Sequence, residues 1–301
     1  MAEQKRVLVY GATGVQGGPV VRRLLEAGHR VRVLARHPER ATGLRETGAE
    51  VVVGDMGDGE SLRAASEGVD AVSLLLPQVF DSALLGTLGR NAIDAAVAAA
   101  ARRVVYNVST TLPRQRTDLP ALEVRRELED YLRDQRIEGV VLRPVVYMEN
   151  FAGPWTAPGI VGQGVLAYPV PERVKASWIT ADDVAAITVA AIEHPELSGM
   201  SFDLGGPEAL DGTDLAARFS AALGRTVRYQ AIPLDSFEQG LNAALGAPAG
   251  TEIARQYRWR EAHPEDSMVV DMRPVLEALP VRLTTLDAWI RGRAEFARTV
   301  A

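Results

Sequence analysis

Three glycines at intervals of three residues, Gly11, Gly14 and Gly17, stand near the start of the chain. An apolar run at 7–10 precedes them and an amphipathic segment at 20–25 follows them, which is the order strand, turn, helix. Such a turn brings the backbone close to phosphate groups and directs the unpaired N–H groups of a helix N-terminus at them. The pattern predicts a site for a dinucleotide pyrophosphate, the alternative being an ordinary strand-to-helix turn. The binding residues expected in this turn are Gly11, Thr13, Gly14, Val15, Gln16 and Gly17.

A basic residue stands where the second predicted strand ends, at the position that distinguishes the two nicotinamide cofactors. Sites for NAD carry a carboxylate there, which binds the ribose 2′-hydroxyl, whereas this chain has Arg36, followed by Arg40. A guanidinium accepts a 2′-phosphate and stacks on adenine. Arg36 and Arg40 therefore predict NADP(H) as the cofactor, unless Arg36 is a solvated loop residue.

Residues after the third and fourth predicted strands are expected to contact the rest of the cofactor. Asp55 either accepts a hydrogen bond from the adenine amino group or caps the helix that begins near Ser61. Pro77 either lies along the middle of the cofactor or simply ends its strand. The residues expected at these two strand ends are Asp55, Met56, Leu76, Pro77 and Gln78.

Strands and helices alternate through the first half of the chain and position these residues. Apolar or alternating runs predict strands at 7–10, 29–35, 50–53, 71–76, 103–109 and 139–143, with helices between them. The alternation predicts an α/β fold, a doubly wound parallel sheet (a Rossmann fold) with a smaller C-terminal α+β lobe. In such a fold the loops that follow the strands form the ligand site at the carboxyl edge of the sheet.

The second half of the chain differs in composition. Residues 153–171 are rich in glycine and proline and are expected to form a loop over the site. We expect a nucleotide-binding Rossmann domain over 1–152 and a smaller substrate lobe over 153–301. The two interleave, because a strand near Phe202 is expected to join the main sheet.

Composition and charge exclude several classes of function. The 301 residues carry a formal net charge of -6 and no basic tail, so nucleic acid is not expected as a direct ligand. Cysteine is absent, which excludes disulfides and a cysteine nucleophile, and no metal site is expected because other ligands do not cluster. We expect a cytoplasmic protein without a membrane segment, since the first strand begins too early for a signal peptide. The sequence is compatible with a monomer and with a homodimer.

Several motifs together resemble the NmrA-like family of atypical short-chain dehydrogenases/reductases. They are the glycine-rich turn, Arg36-His37-Pro38, Gly54-Asp55, the segment 142–150 and the segment 177–184. The resemblance runs through nearly the whole chain and implies a Rossmann fold that binds NADPH. The family includes reductases of quinones and enoyl-type substrates, and also redox sensors that bind the cofactor and catalyse nothing. The activity must therefore be argued from the site.

The usual proton donor of short-chain dehydrogenases is missing from this sequence. That donor is the tyrosine of a Tyr-x-x-x-Lys pair, and neither Lys5 nor Lys175 follows a tyrosine at this spacing. NmrA-like reductases often carry a lysine four residues before a helical glutamate. Glu129 matches this glutamate, and Arg125 stands at the lysine position. Arg125 either binds the ribose or the nicotinamide amide, or it is a surface charge, and in each case arginine is a poor proton donor.

Ser109 and Tyr147 complete the catalytic candidates. Related enzymes place a serine at the end of the fifth strand, where it hydrogen-bonds the substrate carbonyl, although Ser109 can also simply cap the turn. The resemblance places Tyr147 and Asn150 at the nicotinamide end, where Tyr147 either donates a proton to the reduced oxygen or packs against the sheet. The residues expected to line a substrate pocket are Asn150, Trp155, Tyr168 and Trp178.

Two main hypotheses of function follow. The first is an NADPH-dependent reductase that transfers a hydride to a small conjugated or aromatic carbonyl compound, namely a quinone, an enone or an aromatic ketone. The second is a non-catalytic NADP-binding redox sensor that docks on a protein partner. A non-redox biosynthetic tailoring enzyme on the same fold is a third hypothesis.

Overall fold

A computed structural model describes residues 3–297 of the chain. Its strands are β1 (Arg6–Val9), β2 (Arg30–Ala35), β3 (Glu50–Val53), β4 (Ala71–Leu75), β5 (Arg103–Asn107), β6 (Glu138–Pro144), β7 (Val165–Tyr168), β8 (Ala176–Ser177), β9 (Ser201–Leu204), β10 (Ala209–Leu210) and β11 (Arg228–Ala231). Its α-helices are α1 (Gly17–Glu26), α2 (Thr42–Glu46), α3 (Gly59–Ser66), α4 (Ser82–Ala98), α5 (Pro120–Arg133), α6 (Ala181–Glu193), α7 (Gly212–Leu223), α8 (Leu234–Leu245), α9 (Ala249–Ala262), α10 (Arg273–Ala278) and α11 (Leu286–Arg291).

Two compact units are built from alternating segments of the described chain. The first unit comprises the described residues up to Pro144, Ala181–Leu204 and Arg273–Val281. The second comprises Val145–Thr180, Gly205–Met272 and the described residues from Arg282 onward. Each unit therefore contains segments that are distant in the sequence.

The first unit is organised around a parallel sheet. Within residues 3–297 this sheet has seven strands in the order β3-β2-β1-β4-β5-β6-β9, and each neighbouring pair is parallel. The strand order reverses between β1 and β4, which is the switch point where open α/β sheets bind ligands beyond the carboxyl ends of their strands. The predicted doubly wound parallel sheet is confirmed. The strand expected near Phe202 is β9, which pairs with β6.

Apolar strands and closely packed helices hold this sheet together. Val7, Leu8 and Val9 of β1 are fully buried, as expected of a strand that is covered on both faces. Helix α5 begins at Pro120, where a missing N–H costs no hydrogen bond. Its Leu128 packs so closely on Gly89 of α4 that a side chain at Gly89 would collide with it. None of the helices that the structure describes is long and apolar enough to cross a membrane.

The second unit contains structure that the sequence analysis did not predict. The segment 153–171 is not only a loop, because β7 lies within it and pairs in parallel with β11. Helix α9 was not predicted, and α11 is followed by a short 3₁₀ turn at Ala294–Phe296. The core of this unit is rich in aromatic side chains, among them Phe151, Trp178, Phe219 and Trp289.

Candidate functional site

The glycine-rich turn between β1 and α1 has the backbone geometry that a phosphate cradle requires. Gly11 has a φ of +70°, a conformation that side-chain-bearing residues rarely adopt, and its carbonyl oxygen accepts a 3.1 Å hydrogen bond from the Gly14 nitrogen. A Cβ at Gly17 would lie well inside 3.0 Å of the Gly11 carbonyl, so this contact excludes every side chain. The turn is therefore shaped by the two outer glycines of the predicted motif.

The N-terminus of α1 suits an anion. Gln16, the residue that precedes the helix, makes no side-chain hydrogen bond to the first turn, and that turn carries no acidic residue. Thr13, Gly14 and Val15 are exposed at its entrance. Free N–H groups and the helix dipole favour a phosphate at such a position. The residues present fit the pyrophosphate of a dinucleotide.

A side-chain network joins this turn to the end of β5. Gln16 Nε2 donates a 2.7 Å hydrogen bond to Ser109 Oγ, and Asn107 Nδ2 donates one of 3.2 Å to Gln16 Oε1. The Ser109 nitrogen donates to Asn107 Oδ1 at 2.8 Å. Ser109 has a φ of +65°, which is uncommon for a residue with a side chain and is typical of functional sites. The structure thus brings together Gln16 and Ser109, which the sequence assigned separately to cofactor binding and to catalysis.

Arg125 supports the same turn from α5. Its Nε donates a 3.2 Å hydrogen bond to the carbonyl oxygen of Val108, and its Nη1 donates to the carbonyl oxygen of Ala121. Burial lowers the pKa of this guanidinium from its ordinary value, although the nearby Tyr106 opposes the shift. One donor of Arg125 thus binds the backbone beside Ser109 and another binds a carbonyl of its own helix, and binding of ribose or nicotinamide by the rest of the guanidinium stays a prediction.

Arg36 and Asp55 lie close together beyond the ends of β2 and β3. The Nε of Arg36 is 3.8 Å from an oxygen of Asp55, and both side chains are largely exposed, at 63% and 49%. Asp55 Oδ1 also accepts a 2.7 Å hydrogen bond from the Gly57 nitrogen. The alternative that Asp55 caps the following helix is wrong, because Asp58 caps α3 through its bonds to the nitrogens of residues 60 and 61. Contact between Asp55 and adenine stays a prediction.

The remaining cofactor candidates of the first unit differ in exposure. Arg40 is exposed on the 3₁₀ turn after β2, and Met56 is buried. After β4, Leu76 and Pro77 are half-buried and Gln78 is exposed. Pro77 does not continue the strand, which ends at Leu75. These positions leave the polar side chains of Arg40 and Gln78 open to a ligand.

Most candidate site residues of the second unit are more deeply buried. Tyr147 is buried, at 8% exposure, and forms an isolated parallel bridge with Ile179. Asn150 Nδ2 donates a 3.0 Å hydrogen bond to the hydroxyl oxygen of Tyr168. Trp178 is 1% exposed, with its ring centroid 4.4 Å from that of Phe151.

Burial separates the three aromatic residues expected to line a substrate pocket. Trp178 and Tyr168 belong to the buried core of this unit, and their rings contact other side chains. Trp155 is 39% exposed and is the one of the three with ring surface available. The pocket role of each residue stays a prediction.

Tyr257 is a polar residue of this unit that sequence reasoning missed. Its hydroxyl oxygen lies 2.8 Å from that of Tyr168, so it extends the contact between Tyr168 and Asn150. Arg260 lies one turn further along the same helix, α9. The partners are 89 residues apart in the chain, and no local pattern around Tyr257 indicates the contact.

Comparisons with known proteins agree with this geometry. The model of the NmrA-like family matches residues 3–290. The chain is 31% identical to an NAD(P)H azoreductase of Xenophilus azovorans, over 92% of this chain and 94% of the relative. It is 35% identical to a (4-alkanoyl-5-oxo-2,5-dihydrofuran-3-yl)methyl phosphate reductase of Streptomyces griseus, over the same two shares. Among solved structures, an NADPH-dependent quinone oxidoreductase of Escherichia coli in complex with NADPH superposes with a TM-score of 0.77 at 25% identity, over 93% of this chain and 97% of that one.

Proposed function

The chain belongs to the NmrA-like family, and on that premise we propose that it is an NADPH-dependent reductase of a small conjugated or aromatic acceptor. The relatives named above are reductases of azo compounds, of a dihydrofuranone phosphate and of quinones. Acceptors of these kinds share a conjugated, electron-poor group that can take up a hydride. We infer the same broad class of substrate for this chain, with quinones, enones, aromatic ketones and azo compounds as its members.

The hydrogen bond between Gln16 and Ser109 carries this proposal. It fixes a hydroxyl at the end of β5 directly beside the turn that fits a pyrophosphate. A hydroxyl held in this way polarises an acceptor oxygen or nitrogen without having to reorganise during the reaction. A protein that only binds the cofactor has no need for a strained, hydrogen-bonded serine at this place.

The cofactor site that we infer lies along the carboxyl edge of the first unit's sheet. When bound, NADPH supplies the hydride. The backbone from Gly11 to Gly17 holds the pyrophosphate, and Arg36 with Arg40 binds the 2′-phosphate. Asp55 and Met56 contact the adenine end, and the strand end after β4 contacts the middle of the cofactor through Leu76, Pro77 and Gln78.

The remaining site residues that we infer rest on the family resemblance, which implies that Tyr147 and Asn150 bind the nicotinamide. Trp155 has an exposed ring that suits a flat acceptor. Ser109 polarises the atom that becomes anionic. Arg125 holds the backbone at Val108 and thereby the position of Ser109.

A redox sensor remains the second candidate function, because Arg125 occupies the lysine position and binds backbone carbonyls. A guanidinium does not release its proton in proteins, so no acid stands at this position. A sensor of this kind binds NADPH tightly and leaves every acceptor unreduced.

The two functions are separated by one experiment. The purified full chain is given NADPH and a panel of quinones, enones, aromatic ketones and azo compounds, and loss of NADPH absorbance is followed. Binding of NADPH and NADH is measured in parallel. Turnover with any acceptor, lost in Ser109→Ala, supports the reductase. Tight binding of NADPH with no turnover overturns the reductase and favours the sensor.

A further inference from the structure

Asn107 is a buried polar residue outside the cofactor and substrate contacts inferred above. It is the last residue of β5, and its backbone lies between Leu75 of β4 and Leu142 of β6 in the sheet. Only 7% of its surface is exposed. A side chain that starts from an inner strand of a sheet is held more rigidly than one on a loop. Asn107 therefore offers a fixed base for the groups that contact it.

Three hydrogen bonds join Asn107, Gln16 and Ser109 in a closed ring. The Ser109 nitrogen donates to Asn107 Oδ1 at 2.8 Å, Asn107 Nδ2 donates to Gln16 Oε1 at 3.2 Å, and Gln16 Nε2 donates to Ser109 Oγ at 2.7 Å. All three residues belong to the first unit, and Gln16 directly precedes α1 in the glycine-rich turn. The ring therefore lies beside the turn that fits a pyrophosphate.

The backbone N–H of Ser109 fixes every donor and acceptor in this ring. A backbone N–H can only donate, so the Asn107 atom that faces it must be Oδ1, and Nδ2 must face Gln16. Because a donor of Asn107 faces it, Gln16 must present Oε1 there and direct Nε2 at Ser109 Oγ. Reversal of either amide would set two N–H groups against each other and leave both unsatisfied. The orientation of both amides therefore follows from one main-chain group.

This order of hydrogen bonds determines how the Ser109 hydroxyl acts. Its oxygen accepts from Gln16, so its O–H cannot point along that contact. None of the contacts described within residues 3–297 uses this O–H. A hydroxyl whose oxygen is engaged as an acceptor still has its hydrogen to donate. Ser109 is therefore held as a hydrogen-bond donor to a ligand.

We propose that Asn107 is the positioning residue that makes Ser109 a hydrogen-bond donor to the acceptor, a role that rests on the proposed reductase function. As the acceptor takes up a hydride at one atom, the electron pair of its double bond moves to the neighbouring oxygen or nitrogen. That atom accepts the hydrogen bond from Ser109 as it becomes negative, and afterwards takes a proton from water. Because the ring keeps the O–H away from Gln16 beforehand, no hydrogen bond has to break as the charge develops.

The donor role of Ser109 favours one class of acceptor. Quinones, enones, aromatic ketones and azo compounds are neutral, and addition of a hydride places negative charge on an oxygen or nitrogen. A donor stabilises the transition state of such a reaction. A cationic acceptor loses its charge on hydride addition and gains little from the same donor. We therefore infer that the site takes neutral acceptors that become anionic.

Asn107→Asp reverses the ring and tests the proposal. Both oxygens of a carboxylate only accept, so one keeps the bond from the Ser109 nitrogen and the other attracts Nε2 of Gln16. Gln16 then presents Oε1 to Ser109, whose O–H is used up in donating to it. The two donors also favour the ionised form of the new carboxyl group. We expect kcat for a quinone or an azo compound to fall about a hundredfold at saturating NADPH, as in Ser109→Ala.

A double-mutant cycle separates this role from a general disturbance of the fold. Ser109→Ala should lower kcat about a hundredfold in the wild type, but little in Asn107→Asp, because the hydroxyl no longer serves the acceptor there. The charge of the new carboxylate acts on both members of the pair and cancels. Asn242→Asp is the matched control, since Asn242 lies in α8 of the second unit, outside the ring. Equal costs of Ser109→Ala in Asn107→Asp and in Asn242→Asp overturn the role of Asn107.

Gln16→Glu is a second variant, which keeps Asn107. One oxygen of the new carboxylate accepts from Asn107 Nδ2 and the other accepts from the Ser109 O–H, so the hydroxyl is again used up. The dipole of α1 favours the ionised form at this position. Ser109→Ala should therefore lower kcat little in Gln16→Glu as well. If Ser109→Ala has its full wild-type cost there, the proposed order of hydrogen bonds is wrong.

A second readout needs neither cofactor nor turnover. Nuclear Overhauser effects from the side-chain amide protons of Gln16 are recorded in the isotope-labelled, cofactor-free full chain. We expect contacts with the β protons of Ser109 in the wild type, and contacts with the β protons of residue 107 instead in Asn107→Asp. Amide protons of Gln16 that face Asn107 in the wild type, or an unchanged orientation in a variant with an ionised carboxylate, overturn the positioning role.

Failure of this role is distinguishable from failure of the reductase proposal. If the wild-type chain reduces no acceptor, the reductase proposal fails and the role of Asn107 falls with it. If the wild type reduces a quinone or an azo compound and the costs of Asn107→Asp and Ser109→Ala simply add, the reductase stands and only the role of Asn107 fails.

Discussion

Gln16 and Ser109, which are 93 residues apart in the chain, are joined by a 2.7 Å hydrogen bond from the Gln16 amide to the Ser109 hydroxyl. Gln16 directly precedes α1, and Ser109 lies just beyond the end of β5. The bond therefore spans the carboxyl end of β4, which lies between β1 and β5 in the sheet. As a result, the phosphate turn and the hydroxyl are aligned before any ligand arrives.

Ser109→Gly and Ser109→Ala should separate backbone strain from hydroxyl chemistry. Both variants lose Oγ, so both should lose turnover, by about a hundredfold if Ser109 polarises the acceptor. Only alanine keeps a Cβ in the left-handed conformation, so Ser109→Ala should be less stable than Ser109→Gly by about 1 kcal/mol. Kinetics and thermal unfolding of the two purified variants check this. Wild-type turnover in either variant would rule out the role of Ser109.

Gly17→Ala should disrupt the phosphate turn. Its Cβ would meet the Gly11 carbonyl inside 3.0 Å, and relief of this contact must shift the backbone that binds the pyrophosphate. We expect NADPH affinity to fall about tenfold or more, and the free energy of unfolding to fall by about 1–3 kcal/mol. Gly18→Ala is the control, since its Cβ would make only an ordinary 3.6 Å contact. Equal affinities of the two variants for NADPH, measured by titration, would contradict the prediction.

Arg36→Ala should weaken binding of NADPH and leave binding of NADH nearly unchanged. Loss of charge-assisted hydrogen bonds to the 2′-phosphate costs about 1.5–3 kcal/mol, which is about 10- to 100-fold in Kd. Arg30→Ala removes an exposed arginine at the other end of β2 and serves as the control. Calorimetric titration with both cofactors measures the effect. If Arg36→Ala binds NADPH as the wild type does, the assignment of the 2′-phosphate to Arg36 is wrong.

Glu123→Gln should lower stability at neutral pH and not in acid. Burial raises the pKa of Glu123, but hydrogen bonds from Thr117 and the charges of Arg126 and Arg116 outweigh it, so the pKa lies below its ordinary value. A carboxylate with a lowered pKa stabilises the fold above its unfolded pKa of about 4.3, and this stability is lost as pH falls through the folded pKa.

The free energy of unfolding of Glu123→Gln should therefore be about 1 kcal/mol below that of the wild type at pH 7. This difference should shrink as the pH falls below about 4. Urea unfolding at several pH values measures it. Glu127→Gln is the control on the same helix, because Glu127 is half exposed and lies 3.7 Å from Arg90. If the free energy of unfolding of Glu123→Gln lies below that of the wild type by the same amount at all pH values, the charge of Glu123 is not the cause of the loss.

The parallel sheet could be predicted from the sequence, and much of the second unit could not. Strands β1 to β6 alternate with helices, and apart from the partly exposed β3 they are largely buried runs that are recognisable within their own few residues. β7 lies in a segment rich in glycine and proline, and its partner β11 is distant in the chain. Helix α9 buries only Ala249, Gly250, Ala254 and Trp259, which form no continuous apolar stripe. Local patterns of apolar residues indicate β7 and α9 poorly, because contacts with distant parts of the chain stabilise these two elements.

Some residues of the candidate site could likewise be predicted from the sequence, and others could not. The turn from Gly11 to Gly17 has a local signature, because backbone geometry alone dictates where glycine must stand. The position of Arg36 follows from the end of β2. The contact between Tyr168 and Tyr257 has no local signature, since it depends on how β7 and α9 pack. Likewise, the sequence placed Arg125 on a helix but did not reveal that it binds the carbonyl of Val108.

The edge strand β9 has a consequence for synthesis of the protein. The ribosome delivers β6 before the residues of the second unit, and β9 and α10 of the first unit follow only later. Until Ser201–Leu204 emerges, β6 is an open strand edge on the nascent chain. The sheet therefore closes late in translation, and a fragment ending near residue 152 should aggregate rather than fold as a separate nucleotide-binding domain.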